Sequence, residues 1–230
     1  MNGVFITFEG CEGAGKSVLS EKVYQALLKE GYSVVLTHEP GGTKISDKIR
    51  EILLSKEPKN SFALVPMAEL MLYFASRAQH LQEVILPALE SGKVVLCDRF
   101  SDTTIAYQGY GRGIDIQVLT FVNDFITGGL SPHYTVLLDT DPKIGLERSK
   151  RLSKTFAPEG ELDRIESEGL VFHNAVRHGY LEIAKSHPKR VTVYDTSTAT
   201  LVEILPQIIQ QLLKVLQKHA LSRNPRSRKN

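Results

Sequence analysis

Residues 4–17 read Val4-Phe5-Ile6-Thr7-Phe8-Glu9-Gly10-Cys11-Glu12-Gly13-Ala14-Gly15-Lys16-Ser17, and a helix-period run, VLSEKVYQALLKEG, follows directly. An apolar β-rich segment, a glycine loop and a helix therefore succeed one another. Gly10 to Ser17 satisfies the spacing GxxxxGK[ST], and strand, loop, helix is the context in which that spacing binds phosphate. The glycines let successive backbone N–H groups point inward at phosphate oxygens, and the helix N-terminus beyond adds partial positive charge. Lys16 is placed to bridge the outer phosphates of a nucleotide and Ser17 to ligate magnesium. The expected phosphate-contacting set is Gly10, Glu12, Gly13, Ala14, Gly15, Lys16, Ser17 and Val18. Cys11, at a variable position of the loop, reads as a small filler rather than a nucleophile.

Four more short apolar runs recur along the chain: SVVLTH (33 to 38), KVVLCD (93 to 98), YTVLLD (134 to 139) and RVTVYD (190 to 195). They alternate with helix-period segments, and nearly continuous apolar runs suit strands buried on both faces. Right-handed crossovers then give an α/β fold, a five-stranded parallel sheet doubly wound with helices on both faces. The clearest helix carries Leu201, Ile204, Leu205, Ile208, Ile209, Leu212, Leu213 and Leu216 on one stripe, with Pro206 off it. A second helical stretch runs from Pro66 to about Ser91, stopped by Gly92, and is apolar enough to be core or subunit interface.

The 230 residues, 42% hydrophobic and 23% charged, support one large core and exclude a disordered or disulfide-stapled chain. Residues 1–220 are expected to form a single domain. The last ten residues, LSRNPRSRKN, carry Arg223, Arg226, Arg228 and Lys229 and no acid, and read as a disordered basic tail, 221–230. Without them the body has 24 basic against 26 acidic residues, a balance that does not point to a stable nucleic-acid partner. Two cysteines, Cys11 and Cys97, build no zinc site and suit a reducing cytoplasm. No apolar run approaches the roughly 20 residues of a membrane span, and the start lacks a signal-peptide pattern.

A guanine-reading NKxD element is absent, which sets a regulatory GTPase aside. Hydrolytic ATPases place a carboxylate pair on a later strand to activate water, but here Asp98 is followed by Arg99, a residue suited to a second phosphate. Three strands end in aspartate, at Asp98, Asp139 and Asp195, so that feature alone does not choose the magnesium partner of Ser17. Asp98 is favoured because Arg99 adds a cation at the rim where such sheets bind ligands.

Beyond the second strand comes His38-Glu39-Pro40-Gly41-Gly42-Thr43 and then a helix containing Arg50. Taken with FEGCEGAGKS, AELMLYFASRAQH, LCDRF, the AYQG stretch and GELDRIE, it resembles the thymidylate kinases, which move a phosphoryl group from ATP to dTMP. The resemblance runs from about Phe5 to Glu166. It implies that Tyr73, four places before Arg77, stacks on thymine, with Phe74 chosen by a neighbouring registry. Arg77 would bond the base carbonyl, Thr104 and Gln108 would meet the pyrimidine edge, and Tyr107 would lie against the sugar. Arg50 and Arg99 would clamp the acceptor phosphate. Glu12 would accept the sugar 3′-hydroxyl or reach magnesium through water, with Glu39 and Pro40 of EPGG in the same corner.

The segment from Arg148 through Arg151 to Glu161 resembles the family's mobile lid, expected at about 148–165. Arg148 and Arg151 stand three apart, on one helix face. The phosphate loop has Glu12-Gly13-Ala14 and no arginine, so the resemblance implies the bacterial type, with a lid arginine acting beside Lys16 and Arg99. Which of Arg148 and Arg151 acts is left open. ATP, Mg2+ and dTMP are the expected ligands and a homodimer the expected assembly. Two other readings stay open: a kinase for a deoxynucleoside or another pyrimidine monophosphate, and a non-catalytic nucleotide-binding module. EPGGT with SRAQH weighs against the first, and Lys16, Arg99 and the lid bases against the second.

Overall fold

All five apolar runs are strands: β1 (Val4–Gly10), β2 (Val34–His38), β3 (Val94–Asp98), β4 (Tyr134–Asp139) and β5 (Val191–Asp195). The computed structural model describes residues 2–55, 63–156 and 163–223. Every strand pair is parallel, and the order is β2-β3-β1-β4-β5. The chain leaves β1 toward one side of the sheet and crosses to the other between β3 and β4. The carboxyl ends of β1, β3 and β4 therefore border the crevice where strand order reverses.

Successive side chains of β1 point to opposite faces and seed two cores. Val4, Ile6 and Phe8 pack with Val94, Leu96, Val136 and Leu138 against helices α1 (Lys16–Lys29) and α9 (Leu201–Arg223). The expected stripe does this work, since Ile204, Ile208, Leu212 and Leu216 are its buried members. Exposed Pro206 lies within α9 on the solvent side. On the opposite face Phe5, Val95 and Cys97 pack against Leu81, Ile85, Leu89 and Phe100, while Leu137 and Val191 pack against α8 (Leu170–Ser186).

Between β2 and β3 lie α2 (Lys44–Leu54), α3 (Pro66–His80), a π-helical segment Leu81–Ile85 and α4 (Leu86–Glu90). The sequence predicts one helix here, and the run is helical throughout but widens before Pro87, which has no N–H to give back to the preceding turn. The Leu86 N–H reaches Leu81 O instead. After β3 come α5 (Ser101–Thr104), a second π-helical segment Ile105–Gly111 and α6 (Ile116–Thr127). α7 (Pro142–Phe156) follows β4. α2, α3 and α6 are neighbours, and their outer faces expose Ile45, Ile52, Met67, Met71, Val118, Phe121 and Phe125. Phe121 and Phe125 are 72% and 81% exposed, an unusual display for aromatic side chains.

Part of the expected lid, residues 157–162, and of the expected tail, 224–230, lies outside the described residues. Among the described residues no helix is long and apolar enough to cross a membrane.

Leu212 is fully buried where α9 meets the sheet. Leu212→Ala is expected to cost about 2–5 kcal/mol through lost transfer energy and the cavity left behind. Chemical denaturation measures this, and an unchanged midpoint would mean that α9 is not part of the cooperative core.

Candidate active site

β1 pairs with β3 so that Phe8 stands opposite Asp98, and the glycine loop leaves β1 beside Asp98-Arg99. The Ser17 hydroxyl donates to Asp98 Oδ2 at 2.5 Å, while Asp98 Oδ1 is buried without a protein partner. Lys16 Nζ donates to the Cys11 carbonyl at 2.8 Å, folding back over the loop. Burial and nearby Arg99 push the Lys16 ammonium below its ordinary value. Gly13 has φ +65°, and a Cβ there would lie 2.0 Å from the Gly145 carbonyl of α7, so only glycine fits. Ala14 packs into the core and Val18 sits exposed at the rim. A cavity of about 620 Å³ opens above the loop, lined among others by Glu12, Lys16, Ser17, Glu39, Arg50, Asp98 and Arg99.

Of those with a side chain, Arg99 is the one residue described with a positive φ, +70°, a conformation that costs about 1–3 kcal/mol unless its surroundings enforce it. They do. Its N–H donates to Phe8 O at 2.9 Å, and its carbonyl accepts from Cys97 Sγ at 3.1 Å. Its guanidinium takes both Glu12 oxygens at 2.9 Å and lies 5.1 Å from the Tyr107 ring centroid. Tyr107 donates its hydroxyl to Glu12 at 2.7 Å. Burial pushes the Glu12 carboxyl up, but Arg99 and Lys16 outweigh it and hold the group at about 2. Beneath Arg99, fully buried Glu9 accepts from the Phe100 N–H at 2.8 Å and from Thr103 Oγ1 at 2.6 Å, with the Tyr180 hydroxyl at 3.2 Å. Burial, reinforced by Asp102, raises Glu9 to about 7.

Behind Glu39, Arg77 is buried. Its Nε donates to Glu39 Oε2 at 2.8 Å, and its Nη1 donates to Thr104 Oγ1 and Asn123 Oδ1, each at 3.0 Å. His80 Nδ1 meets Glu39 Oε1 at 3.1 Å, and its Nε2 meets Thr37 Oγ1 at 2.6 Å. Burial alone would raise Glu39, but Arg77 and His80 hold it below the ordinary carboxylate value. Glu12 and Glu39 thus face one cavity from two separate ion pairs. Arg50 Nη1 donates to the Pro40 carbonyl at 2.8 Å, which aims its guanidinium along the cavity wall. The two aromatic candidates part company: Phe74 packs with Leu70 and Leu119, whereas Tyr73 lies in the field of Glu69, Arg99, Arg164 and Glu12. Gln108 is fully buried and donates Nε2 to Glu69 at 2.8 Å.

Arg148 and Arg151 are not brought to the cavity. Arg148 Nη1 donates to the Thr196 carbonyl at 2.8 Å, and Arg151 is 81% exposed with Glu147 at 4.0 Å. Their helix reaches the cavity through Ser149 and Leu152 instead, joined by Asp163 and Glu166. The strand-end acids Asp139 and Asp195 lie elsewhere: Asp139 pairs with Arg177 at 2.7 Å, and Asp195 accepts from the Ser197 N–H at 2.7 Å. Sequence reasoning missed Glu9, Glu69, His80, Arg112, Arg164 and Tyr180, whose partners lie on other elements at spacings no local motif encodes.

The thymidylate kinase family model matches residues 8–208. The thymidylate kinase of Pelobacter propionicus is 49% identical over 212 residues, covering 92% of this chain and 94% of that one. That of Geotalea uraniireducens is 48% identical over 195 residues, covering 85% and 90%. The crystal structure of thymidylate kinase from Ehrlichia chaffeensis matches with a TM-score of 0.70 at 32% identity, over 92% of this chain and 99% of that chain.

Glu9 yields a stability prediction. With a folded-state value of about 7 against an ordinary 4.5, the folded protein holds a proton that the unfolded chain has already released, so this group's stabilisation is greatest at acid pH and is lost as pH rises through 7. Relative to Glu9→Gln, the wild type should lose melting temperature between about pH 5 and about pH 8. A difference that stays flat across that window would remove the titration from Glu9.

Proposed function

The chain belongs to the thymidylate kinase family and converts dTMP to dTDP, and we propose that the cavity above the glycine loop is where ATP and dTMP meet. One observation carries the assignment: the phosphate loop and two arginines, Arg50 and Arg99, line the same cavity. Three positive groups lining one cavity suit a donor and an acceptor phosphate held end to end. Phosphoryl transfer is mostly positioning and charge neutralisation. A nucleoside monophosphate has a second pKa near 6, so it arrives largely as a dianion and requires no general base.

The loop from Gly10 to Val18 holds the phosphates of ATP, with Lys16 on the outer pair. Arg50 and Arg99 clamp the phosphate of dTMP, and bidentate guanidinium geometry suits that task. Tyr73 stacks on thymine, Arg77 donates to its carbonyl, and Thr104 and Gln108 border the pyrimidine edge. Phe74 packs in the core with Leu70 and Leu119. Glu12 orients Arg99 and Tyr107 in the present geometry, and it meets the sugar with Tyr107 when dTMP is bound. Glu39 acts differently, by holding Arg77.

The residues fit magnesium. Ser17 and Asp98 offer hard oxygen donors, and the buried Oδ1 of Asp98 lacks a partner. Among the described residues no group of three His, Cys, Asp or Glu side chains is arranged to hold a metal. When bound, magnesium neutralises charge on the phosphate oxygens.

The lid reading assigns the remaining charge to Arg148 or Arg151, which must move inward as α7 closes over ATP and excludes water. The exposed apolar faces of α2, α3 and α6 support a homodimer packed through them. Two free buried cysteines support a cytoplasmic location, and residues 1–220 are taken as one catalytic unit with a basic tail.

ADP release with MgATP, measured against dTMP, dUMP, dCMP, UMP and thymidine, should show strong preference for dTMP, and turnover of thymidine instead would shift the acceptor one phosphate back. Arg77→Ala should raise KM for dTMP at least about ten-fold while leaving that for ATP nearly unchanged; equal rises would sink the base-reading role. Replacing the acting lid arginine with Ala should lower kcat with little change in KM, as expected of a contact made only in the transition state. If neither Arg148→Ala nor Arg151→Ala does so, the lid assignment is wrong.

A further inference from the structure

Glu69, Tyr73 and Arg77 stand four apart on α3 and share one face. Across from them, Thr104 ends α5 and Gln108 lies one turn on, in the π-helical segment. Two cross-links join these elements: Arg77 to Thr104 at 3.0 Å and Gln108 to Glu69 at 2.8 Å. Tyr73 sits between them along α3, with one cross-link on either side of it.

The second cross-link has a consequence for the amide of Gln108. A carboxylate can only accept, so the amide must turn its Nε2 to Glu69 and its Oε1 away. That Oε1 is buried and has no partner in the protein. Glu69 cannot swing to release it, because Arg112 holds it at 3.1 Å and 3.3 Å and Arg164 at 2.7 Å. Burial alone would raise the Glu69 carboxyl, but the hydrogen bonds from Arg112 and Gln108 outweigh it and keep the group ionised.

We propose that Glu69 is a positioning residue for base selection: by binding the amide nitrogen of Gln108 it leaves Oε1 as a fixed acceptor for the ring N3–H of thymine. The same acceptor opposes the unprotonated N3 of cytosine. This rests on the reading that the base lies between Tyr73 and Gln108. A buried acceptor left unpaired, or set against another acceptor, discriminates strongly because neither group can turn to water.

The test is kcat/KM for dTMP, dUMP and dCMP. Uracil keeps N3–H but lacks the methyl group, so the dTMP:dUMP ratio reports packing and the dTMP:dCMP ratio reports the acceptor. In Glu69→Gln the new amide can donate to Gln108 Oε1 and let Gln108 turn its NH2 toward the base. The dTMP:dCMP ratio should fall about ten-fold or more, with dTMP:dUMP held within about two-fold and Arg77 retaining part of the discrimination. An equal fall in both ratios would reduce Glu69 to shaping the pocket and overturn the inference. An unchanged dTMP:dCMP ratio in Glu69→Gln, with a lowered one in Gln108→Ala, would also overturn it while leaving the site reading intact. Base preference unaltered in Glu69→Gln, Gln108→Ala and Arg77→Ala alike would instead defeat the site reading. Should Glu69→Gln not fold, the charge-balanced Glu69→Gln/Arg112→Gln gives the same readout.

Discussion

Parallel pairing of β1 with β3, in the register that sets Phe8 opposite Asp98, is the constraint on which the site depends. A shift by one residue would turn Asp98 to the opposite face of the sheet and away from Ser17. In the observed register, the glycine loop and Asp98-Arg99 leave adjacent strands at the same height. Arg99 then turns through a left-handed conformation, which the Phe8 carbonyl, Cys97 and Glu12 hold from three directions. The strain is local, and the fully buried apolar strands on either side offset it many times over.

Around this junction the charged side chains are paired rather than solvated. Glu12 holds Arg99, Glu39 holds Arg77 and His80, and Glu69 holds Arg112 and Arg164. Buried pairs of this kind contribute little net stability, since desolvation consumes much of the attraction. What they supply is orientation. Arg77, Arg99 and Gln108 are each held in a set direction by a carboxylate partner.

The α3 frame also links parts of the chain that are far apart in sequence. Arg164, just beyond the lid, bonds the end of α2 through the Leu53 carbonyl and α3 through Glu69. The segment that follows α7 is therefore tied to α2 and α3, whereas Arg148 is held by the Thr196 carbonyl and Arg151 is exposed, neither lining the cavity. Arg99 and Lys16 do line the cavity, each held there by a partner from the loop, Glu12 and the Cys11 carbonyl.

By itself the sequence determined the five strands and the glycine loop and favoured Asp98 among the strand-end acids, because apolar runs, glycine spacing and strand ends are local patterns that backbone geometry reads within a few residues. It also marked Arg50, Arg77 and Arg99 through short motifs. Only the tertiary structure separates the adjacent Tyr73 and Phe74, placing Phe74 against Leu70 and Leu119 and Tyr73 near Glu69, Arg99 and Glu12. The same holds for Glu9 under Arg99 and for Glu69 beside Gln108, whose partners lie 91 and 39 positions away along the chain. Contacts at such separations depend on sheet order and helix packing, and no spacing within one segment can encode them.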